Sequence, residues 1–100
     1  MIHTVNKSPF ERNSLDSCLR LSIKGAPILF LEDGVLAVTS GTSISDKVAN
    51  AQRDHPIFVL GPDLQARGIA EGDVAEGITI IDYGEFVDLV VEHGTVQSWL

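Results

Sequence analysis

The chain contains few of the residues on which redox, metal and disulfide chemistry depend. Its 100 residues include a single cysteine, Cys18, with one tryptophan and one tyrosine. One cysteine excludes an internal disulfide bond, so we expect a protein that works in the reducing cytoplasm. Zinc sites usually combine clustered cysteines and histidines, whereas His3, His55 and His93 come from different segments with no ligand spacing. We therefore expect no metal site.

Positive charge is also scarce. The chain has 7 lysine and arginine residues, scattered without a cluster, against 14 aspartate and glutamate residues, and its formal net charge is −7. Contact with phosphates needs a basic surface, so direct binding to nucleic acid or to an anionic membrane is disfavoured. The longest apolar runs, PILFL at 27–31 and GITII at 77–81, are too short to span a bilayer. The opening residues MIHTVNKSPF show no basic-then-apolar signal layout, so the expected location stays cytoplasmic.

The chain is nevertheless apolar for its size, because hydrophobic residues make up 44% of the sequence. Its length suits one domain, spanning 1–100, that buries a modest core. A small domain leaves much of its surface exposed, so part of the apolar content is expected at contacts with other subunits. Trp99, a large aromatic near the end of the chain, is expected either in the core or as an anchor at such a contact.

Short apolar segments alternate with helical segments along the whole chain. Strands are predicted at 2–5, 27–31, 55–60 and 78–81, with a fifth at 95–100. Helical segments are predicted at 14–23, 34–38, 45–52, 61–68 and 82–93. This alternation is typical of an α/β domain with a mostly parallel sheet. We therefore predict a three-layer, Rossmann-like domain whose sheet of four or five strands is flanked by helices.

Several helix ends have local sequence signals. Asp82 followed by Glu85 matches a capping box. Pro62 suits the first turn of a short helix, and Gly68 can end it. Candidate N-caps for the remaining helices are Asn13 or Ser14, Asp33, and Ser43 or Ser45.

A parallel sheet places its ligands beside the segments that follow the strands. These segments read NKSPF, EDGV, GPDL and DYGE, and none contains the GxGxxG or GxxxxGK(S/T) pattern of a nucleotide site. We expect no bound nucleotide and no other cofactor. The EDG turn at 32–34 has the residue types to hold a metal or to act as an acid or base. A tight turn in which Asp33 caps the next helix is the simpler interpretation.

Cys18 is the one reactive side chain whose role the pattern leaves open. It lies on the apolar stripe of the first predicted helix, which comprises Leu15, Cys18, Leu19, Ser22 and Ile23. A cysteine on such a stripe is often a buried small hydrophobe. Its position in the middle of the helix lacks the helix N-terminus that lowers a thiol pKa most strongly. The pattern therefore favours packing, with a reactive thiol as the alternative.

Four stretches together resemble the DsrH/TusB family: HTVNKSPF at 3–10, LFLEDGV at 29–35, DLQARG at 63–68 and DYGEFVDL at 82–89. The resemblance runs over essentially the whole chain without large gaps, and the motifs are specific as a set. It implies a small cytoplasmic α/β protein of the DsrE-like fold. It further implies a heterohexamer with two copies each of this chain, a DsrE/TusD-type subunit and a DsrF/TusC-type subunit. Such an assembly passes persulfide sulfur on cysteine to a DsrC/TusE-type carrier.

The family has two branches, and the resemblance favours the first. Dsr-type members serve sulfur oxidation and resemble this chain in carrying a cysteine on the first helix, here Cys18. The chain is then a subunit of a DsrEFH-like complex and Cys18 a candidate persulfide carrier, with the principal persulfide cysteine on the DsrE/TusD-type subunit. Many TusB-type members lack that cysteine. The alternative is a TusB-type subunit of a TusBCD-like complex that supports 2-thiouridine formation at the tRNA wobble position, with this chain structural and not sulfur-carrying.

Overall fold

A computed structural model describes all residues, 1–100, as five strands, four α-helices and two short 3-10 segments. The strands are β1 (Ile2–Val5), β2 (Ile28–Phe30), β3 (Ile57–Leu60), β4 (Thr79–Ile81) and β5 (Val96–Trp99). The helices are α1 (Ser14–Leu21), α2 (Ser45–Ala51), α3 (Gly61–Ala66) and α4 (Tyr83–His93). The 3-10 segments span Glu32–Val38 and Glu71–Asp73. No helix is both long and apolar enough to cross a membrane.

The five strands form one sheet in the order β4-β3-β2-β1-β5, and every pairing is parallel. The predicted α/β domain with a parallel sheet flanked by helices is therefore confirmed, with the sheet entirely and not only mostly parallel. The chain steps in one direction from β1 to β4 and then returns across the sheet to place β5 beside β1. The return connection contains α4, the longest helix of the chain.

The two faces of the sheet are covered unequally. One face, which packs against α1, α2 and α3, holds a core cluster of 13 buried residues that includes Val5, Phe30 and Val59. The other face holds a cluster of 4 buried residues, covered by the half-buried Phe86 and other residues of α4. None of the residues of α4 is itself buried. The helix therefore covers its side of the sheet only thinly.

Helix α1 is shorter than its apolar spacing predicts. It ends at Leu21 because Ser22 takes up an extended backbone, with φ −76 and ψ 146, and the chain turns at Gly25, where φ is 95. Ile23, predicted on the apolar face of this helix, lies beyond its end with 81% of its surface exposed. The predicted stripe was wrong at this residue, since the helical periodicity on which it rests stops before it.

The predicted caps have mixed outcomes. The capping box is confirmed, because the Glu85 amide donates to Asp82 Oδ1 at 2.8 Å and the Asp82 amide donates to Glu85 Oε1 at 3.2 Å. Pro62 does lie in the first turn of α3. The prediction that Asp33 caps a helix over 34–38 was wrong, because the 3-10 segment already begins at Glu32 and includes Asp33.

The first two α-helices start without a side-chain cap. Asn13 occupies the N-cap position of α1, but its side chain makes no capping hydrogen bond. The N-cap position of α2 is Ile44, so neither Ser43 nor Ser45 caps it. The Ser45 hydroxyl instead accepts a hydrogen bond from the Thr42 amide at 3.0 Å. Ser45 thus closes the turn that leads into α2.

Candidate functional site

Cys18, the candidate persulfide carrier, lies in the middle of α1 and points into the larger core. Its relative exposure is 0%, and it belongs to the same cluster of buried residues as Leu15 and Val5. It is a free cysteine. Burial raises the pKa of its thiol to about 12, because a thiolate buried among apolar side chains would lose its hydration. In this conformation the sulfur is protonated at neutral pH and out of reach of another protein.

This geometry supports the packing interpretation of Cys18. A sulfur-transfer step needs a thiolate that can approach the donor persulfide, and Cys18 has neither the charge state nor the access. Sulfur transfer to Cys18 would first require α1 to move away from the sheet. The hypothesis that Cys18 carries sulfur stays a prediction, which intact-mass spectrometry of the sulfur-loaded complex would test.

The segments that follow β1, β2 and β3 meet at the carboxyl edge of the sheet, as expected for parallel strands. Asn6 Nδ2 donates a hydrogen bond to Glu32 Oε2 at 3.1 Å, and the Glu32 amide donates to Asp63 Oδ2 at 2.6 Å. Glu32 adopts a left-handed backbone with φ 51, which is uncommon for a residue other than glycine. The three connections are therefore held together by direct polar contacts.

The acidic residues of the EDGV turn have structural partners. Asp33 Oδ1 accepts a hydrogen bond from Arg67 Nε at 3.0 Å and forms an ion pair with the Arg67 guanidinium, whose terminal nitrogen lies 2.9 Å away. Gly34 packs directly on the end of β1, where a side-chain carbon added to the glycine would overlap the Val5 carbonyl oxygen. No three His, Cys, Asp or Glu side chains lie together in an arrangement that could hold a metal ion. The turn is thus accounted for as a tight connection locked to α3.

A crevice lies at the carboxyl ends of β3 and β4. The connection after β3 forms α3 on one face, and the connection after β4 forms α4 on the other, which opens a space at the carboxyl ends of these strands. The space measures about 280 Å³, and three acidic residues, Glu71, Asp82 and Glu85, line it. The side chains of Asp82 and Glu85 are engaged in the capping box of α4. Glu71 is therefore the one carboxylate of the crevice outside the capping box.

Trp99 contacts His3, and His55 lies close enough to His3 to influence its protonation. Trp99 Nε1 donates a hydrogen bond to His3 Nδ1 at 3.0 Å, with the ring centroids 6.0 Å apart. Burial, and next the neighbouring His55, lower the pKa of His3. His55 Nδ1 lies 2.8 Å from the Ala26 carbonyl oxygen, which can only accept, so this nitrogen carries the proton. Trp99 is half-buried: it packs against the larger core and leaves part of its side chain exposed.

A cavity of about 330 Å³ opens at the amino ends of β1 and β2, and the sequence patterns did not indicate it. Its lining includes His3, His93 and the exposed apolar residues Leu21 and Ile23. The residues come from the two ends of the chain and from the turn after α1. No local motif joins segments so far apart, which is why the cavity was not predictable.

Solved structures share this fold. The ychN protein of E. coli superimposes with a TM-score of 0.78 over 97% of this chain and 97% of that chain, at 20% sequence identity. A protein of unknown function from Methanobacterium thermoautotrophicum, MTH1491, gives a TM-score of 0.75 over 97% of this chain and 96% of that chain, at 16% identity. At these identities the similarity shows the fold class, an α/β domain with a parallel sheet flanked by helices.

The sequence comparisons define the family. The model of the family described as DsrH like protein matches residues 7–96. Protein TusB of Pectobacterium parmentieri is 36% identical over 99 residues, which cover 99% of this chain and 100% of that protein. Protein TusB of Escherichia coli K12 is 35% identical over 99 residues, with the same coverage. The chain therefore belongs to the DsrH-like family of sulfur-relay proteins, and the resemblance drawn from its motifs is confirmed.

Proposed function

We propose that this chain is the TusB-type subunit of a TusBCD-like sulfur relay that supports 2-thiouridine formation at the tRNA wobble position. The observation that carries the proposal is the end-to-end match to proteins named TusB, at 35–36% identity with 99% of the chain covered. In this role the chain completes a complex with a DsrE/TusD-type and a DsrF/TusC-type subunit, and sulfur leaves on a DsrC/TusE-type carrier.

The burial of Cys18 supports a structural rather than a sulfur-carrying role for the chain. In a relay step, an acceptor thiolate attacks the outer sulfur of a donor persulfide, a new S–S bond forms, and the donor cysteine leaves as a thiolate. With its pKa raised to about 12, the Cys18 thiol stays protonated at pH 7. The sulfur-carrying thiols are then those of the companion subunits and the carrier.

The sulfur-oxidation role is the second candidate, favoured by the match to the DsrH-like model and by the presence of Cys18 on α1. The TusB relatives support the thiolation role better. The two roles differ in the measured product, because only the thiolation role links loss of the chain to loss of a tRNA base modification.

Deletion of the gene and complementation test the proposed role. Nucleoside mass spectrometry of total tRNA should show loss of wobble 2-thiouridine in the deletion strain and its recovery when the wild-type chain is supplied. A Cys18→Ala variant should restore the modification as well as the wild type does. Unchanged 2-thiouridine in the deletion strain would reject the thiolation role. Failure of Cys18→Ala alone, with normal assembly of the complex, would reject the structural role of the chain.

A further inference from the structure

The net negative charge of the chain comes entirely from its last third. Residues 1–67 contain all 7 lysine and arginine residues and 7 of the 14 acidic residues, so this part is formally neutral. Residues 68–100 contain the other 7 acidic residues and no lysine or arginine, and they account for the whole net charge of −7. This last third contains the 3-10 segment Glu71–Asp73 and then β4, α4 and β5.

The carboxylates of α4 lack partners of opposite charge within the chain. The three ion pairs of the protein join Lys24 to Asp54, Lys47 to Asp16 and Arg67 to Asp33, all outside the last third. Asp88 and Glu92 line a shallow groove of about 220 Å³ between α4 and the edge of the sheet. Neither carboxylate forms an ion pair, whereas three acidic residues elsewhere in the fold pair with a lysine or an arginine.

The same helix exposes a stripe of apolar residues. Tyr83, Val87 and Val91 follow one another at intervals of four residues, which places them along one side of α4. They are 59%, 59% and 76% exposed, respectively. The outward side of a surface helix is normally polar, so an apolar stripe here indicates a surface that is covered in the working protein.

We refer to Tyr83, Val87, Val91, Asp88 and Glu92 together as the α4 surface. At 100° per residue, the three apolar positions centre about 120° around the helix from the two acidic positions. The half-buried Phe86, Leu89 and Val90 take the remaining side, against the sheet. An apolar stripe with a separate acidic stripe beside it is the arrangement of an interface with a central apolar contact and a charged rim.

A second copy of this chain is a poor occupant for the α4 surface. A two-fold contact would bring the acidic stripes of two copies together, and residues 68–100 offer no lysine or arginine to neutralise them. The complementary occupant is a different chain that presents lysine or arginine beside aliphatic side chains. Opposite charges at the rim would speed the encounter and fix the orientation, while the apolar stripe would supply the affinity.

We propose that the α4 surface binds a companion subunit of the sulfur relay through an apolar patch rimmed by lysine and arginine. The inference rests on the proposed function, which supplies the companion subunits, and adds the surface and the chemistry by which one of them is bound. No residue of α4 is buried within this chain. A docked subunit would bury the side of α4 that faces away from the sheet.

Co-expression with the DsrE/TusD-type and DsrF/TusC-type subunits of the same organism tests the docking role. The charge variant Asp88→Lys/Glu92→Lys and the stripe variant Val87→Ser/Val91→Ser each alter only exposed positions of α4. The matched control, Glu11→Lys/Asp46→Lys, makes the same change in net charge at exposed positions outside α4 and the last third. Assembly is measured by analytical ultracentrifugation of purified subunits, and thermal unfolding of each isolated variant checks its fold.

We expect each α4 variant to weaken assembly at least tenfold while the control assembles like the wild type. Added salt should weaken the wild-type assembly and have less effect on the charge variant, whose carboxylates are gone. If the wild type assembles and both α4 variants assemble equally well, the docking role is overturned and the proposed function stays intact. Failure of the wild type to assemble would overturn both. If the wild-type chain instead self-associates and the α4 variants do not, a second copy of the chain occupies the α4 surface. This result would also overturn the proposal.

Discussion

Trp99 Nε1 donates a hydrogen bond to Nδ1 of His3, 3.0 Å away, and so ties the last strand of the sheet to the first. The contact requires a neutral His3, because a protonated Nδ1 carries a hydrogen and accepts nothing. The lowered pKa of His3, caused first by burial, next by His55 and then by the N-terminus, favours the same neutral form. Packing and protonation are therefore coupled at this end of the sheet.

We expect the free energy of unfolding to fall as the pH drops through the ordinary histidine pKa of 6.5. The unfolded chain takes up a proton at this pKa, whereas folded His3 takes it up only at a lower pH. Between these two pKa values the unfolded state binds more protons than the folded state. The contribution of His3 to stability is therefore complete above pH 6.5 and falls as the pH drops towards its pKa in the folded chain. The free energy of unfolding changes by at most about 1.4 kcal/mol per pH unit in this range. Urea unfolding across this pH range measures the effect.

Two substitutions isolate the contribution of His3. His3→Gln should remove most of this pH dependence, although the substitution itself destabilises the protein by leaving Trp99 Nε1 without its acceptor. His93→Gln, at the end of α4, should keep the wild-type slope. Equal slopes for the wild type and His3→Gln would show that His3 is not the titrating group.

Gly34→Ala should destabilise the protein by about 3 kcal/mol or more, because the added carbon would overlap the Val5 carbonyl oxygen and would separate the 3-10 segment from β1. Gly72→Ala is the matched control, since an added carbon there meets nothing within 4 Å. It should change the free energy of unfolding by less than about 0.5 kcal/mol. Chemical denaturation of both variants measures the difference, and similar stabilities would contradict the close approach.

Asp82→Ala should cost about 1 kcal/mol, because it removes the acceptor for the Glu85 amide and with it the capping box of α4. Asp88→Ala, in the same helix but without a capping contact, should change the stability by less than about 0.5 kcal/mol. Thermal unfolding of the isolated chain compares the two. A cost of the same size at both positions would mean that the capping box does not hold the start of α4.

The thiol of Cys18 should react with a soluble disulfide reagent at least about 10²-fold more slowly in the native protein than in urea, because reaction needs local unfolding of α1. A Cys18→Ala/Ala49→Cys variant provides an accessible single thiol on α2, where residue 49 is exposed. Its thiol should react quickly without denaturant. Rapid native labelling of Cys18 would show that α1 opens readily and would revive its role as a carrier.

Local sequence patterns predicted the strands and the parallel sheet well. Apolar runs such as 27–31 and 78–81 lie between turns, which indicates strands. Their alternation with helical segments is compatible with few folds other than an α/β domain with a parallel sheet. The Asp82–Glu85 box was predictable because both partners lie within one helical turn. Periodicity failed at Ile23, because nothing local shows that the chain leaves the helix at Ser22.

Local sequence patterns did not predict contacts between distant segments of the chain. The hydrogen bond between His3 and Trp99 spans the chain from one end to the other, and it depends on β5 pairing with β1, which the alternation alone does not specify. The pairing of Asp33 with Arg67 likewise depends on how α3 packs against the EDGV turn. For Cys18, the helical pattern predicted a thiol on the apolar side of α1. Its complete burial, with 0% exposure, depends on packing against distant segments, which the pattern does not show.

In the proposed function, this chain supports a sulfur relay without carrying the sulfur. Intact-mass spectrometry of the assembled complex, after loading with a persulfide donor, tests this role because each chain is weighed separately. We expect the mass of added sulfur on a companion subunit, and an unchanged mass for this chain in both the wild type and Cys18→Ser. Added sulfur on this chain in the wild type, lost in Cys18→Ser, would contradict the account and make Cys18 a member of the relay.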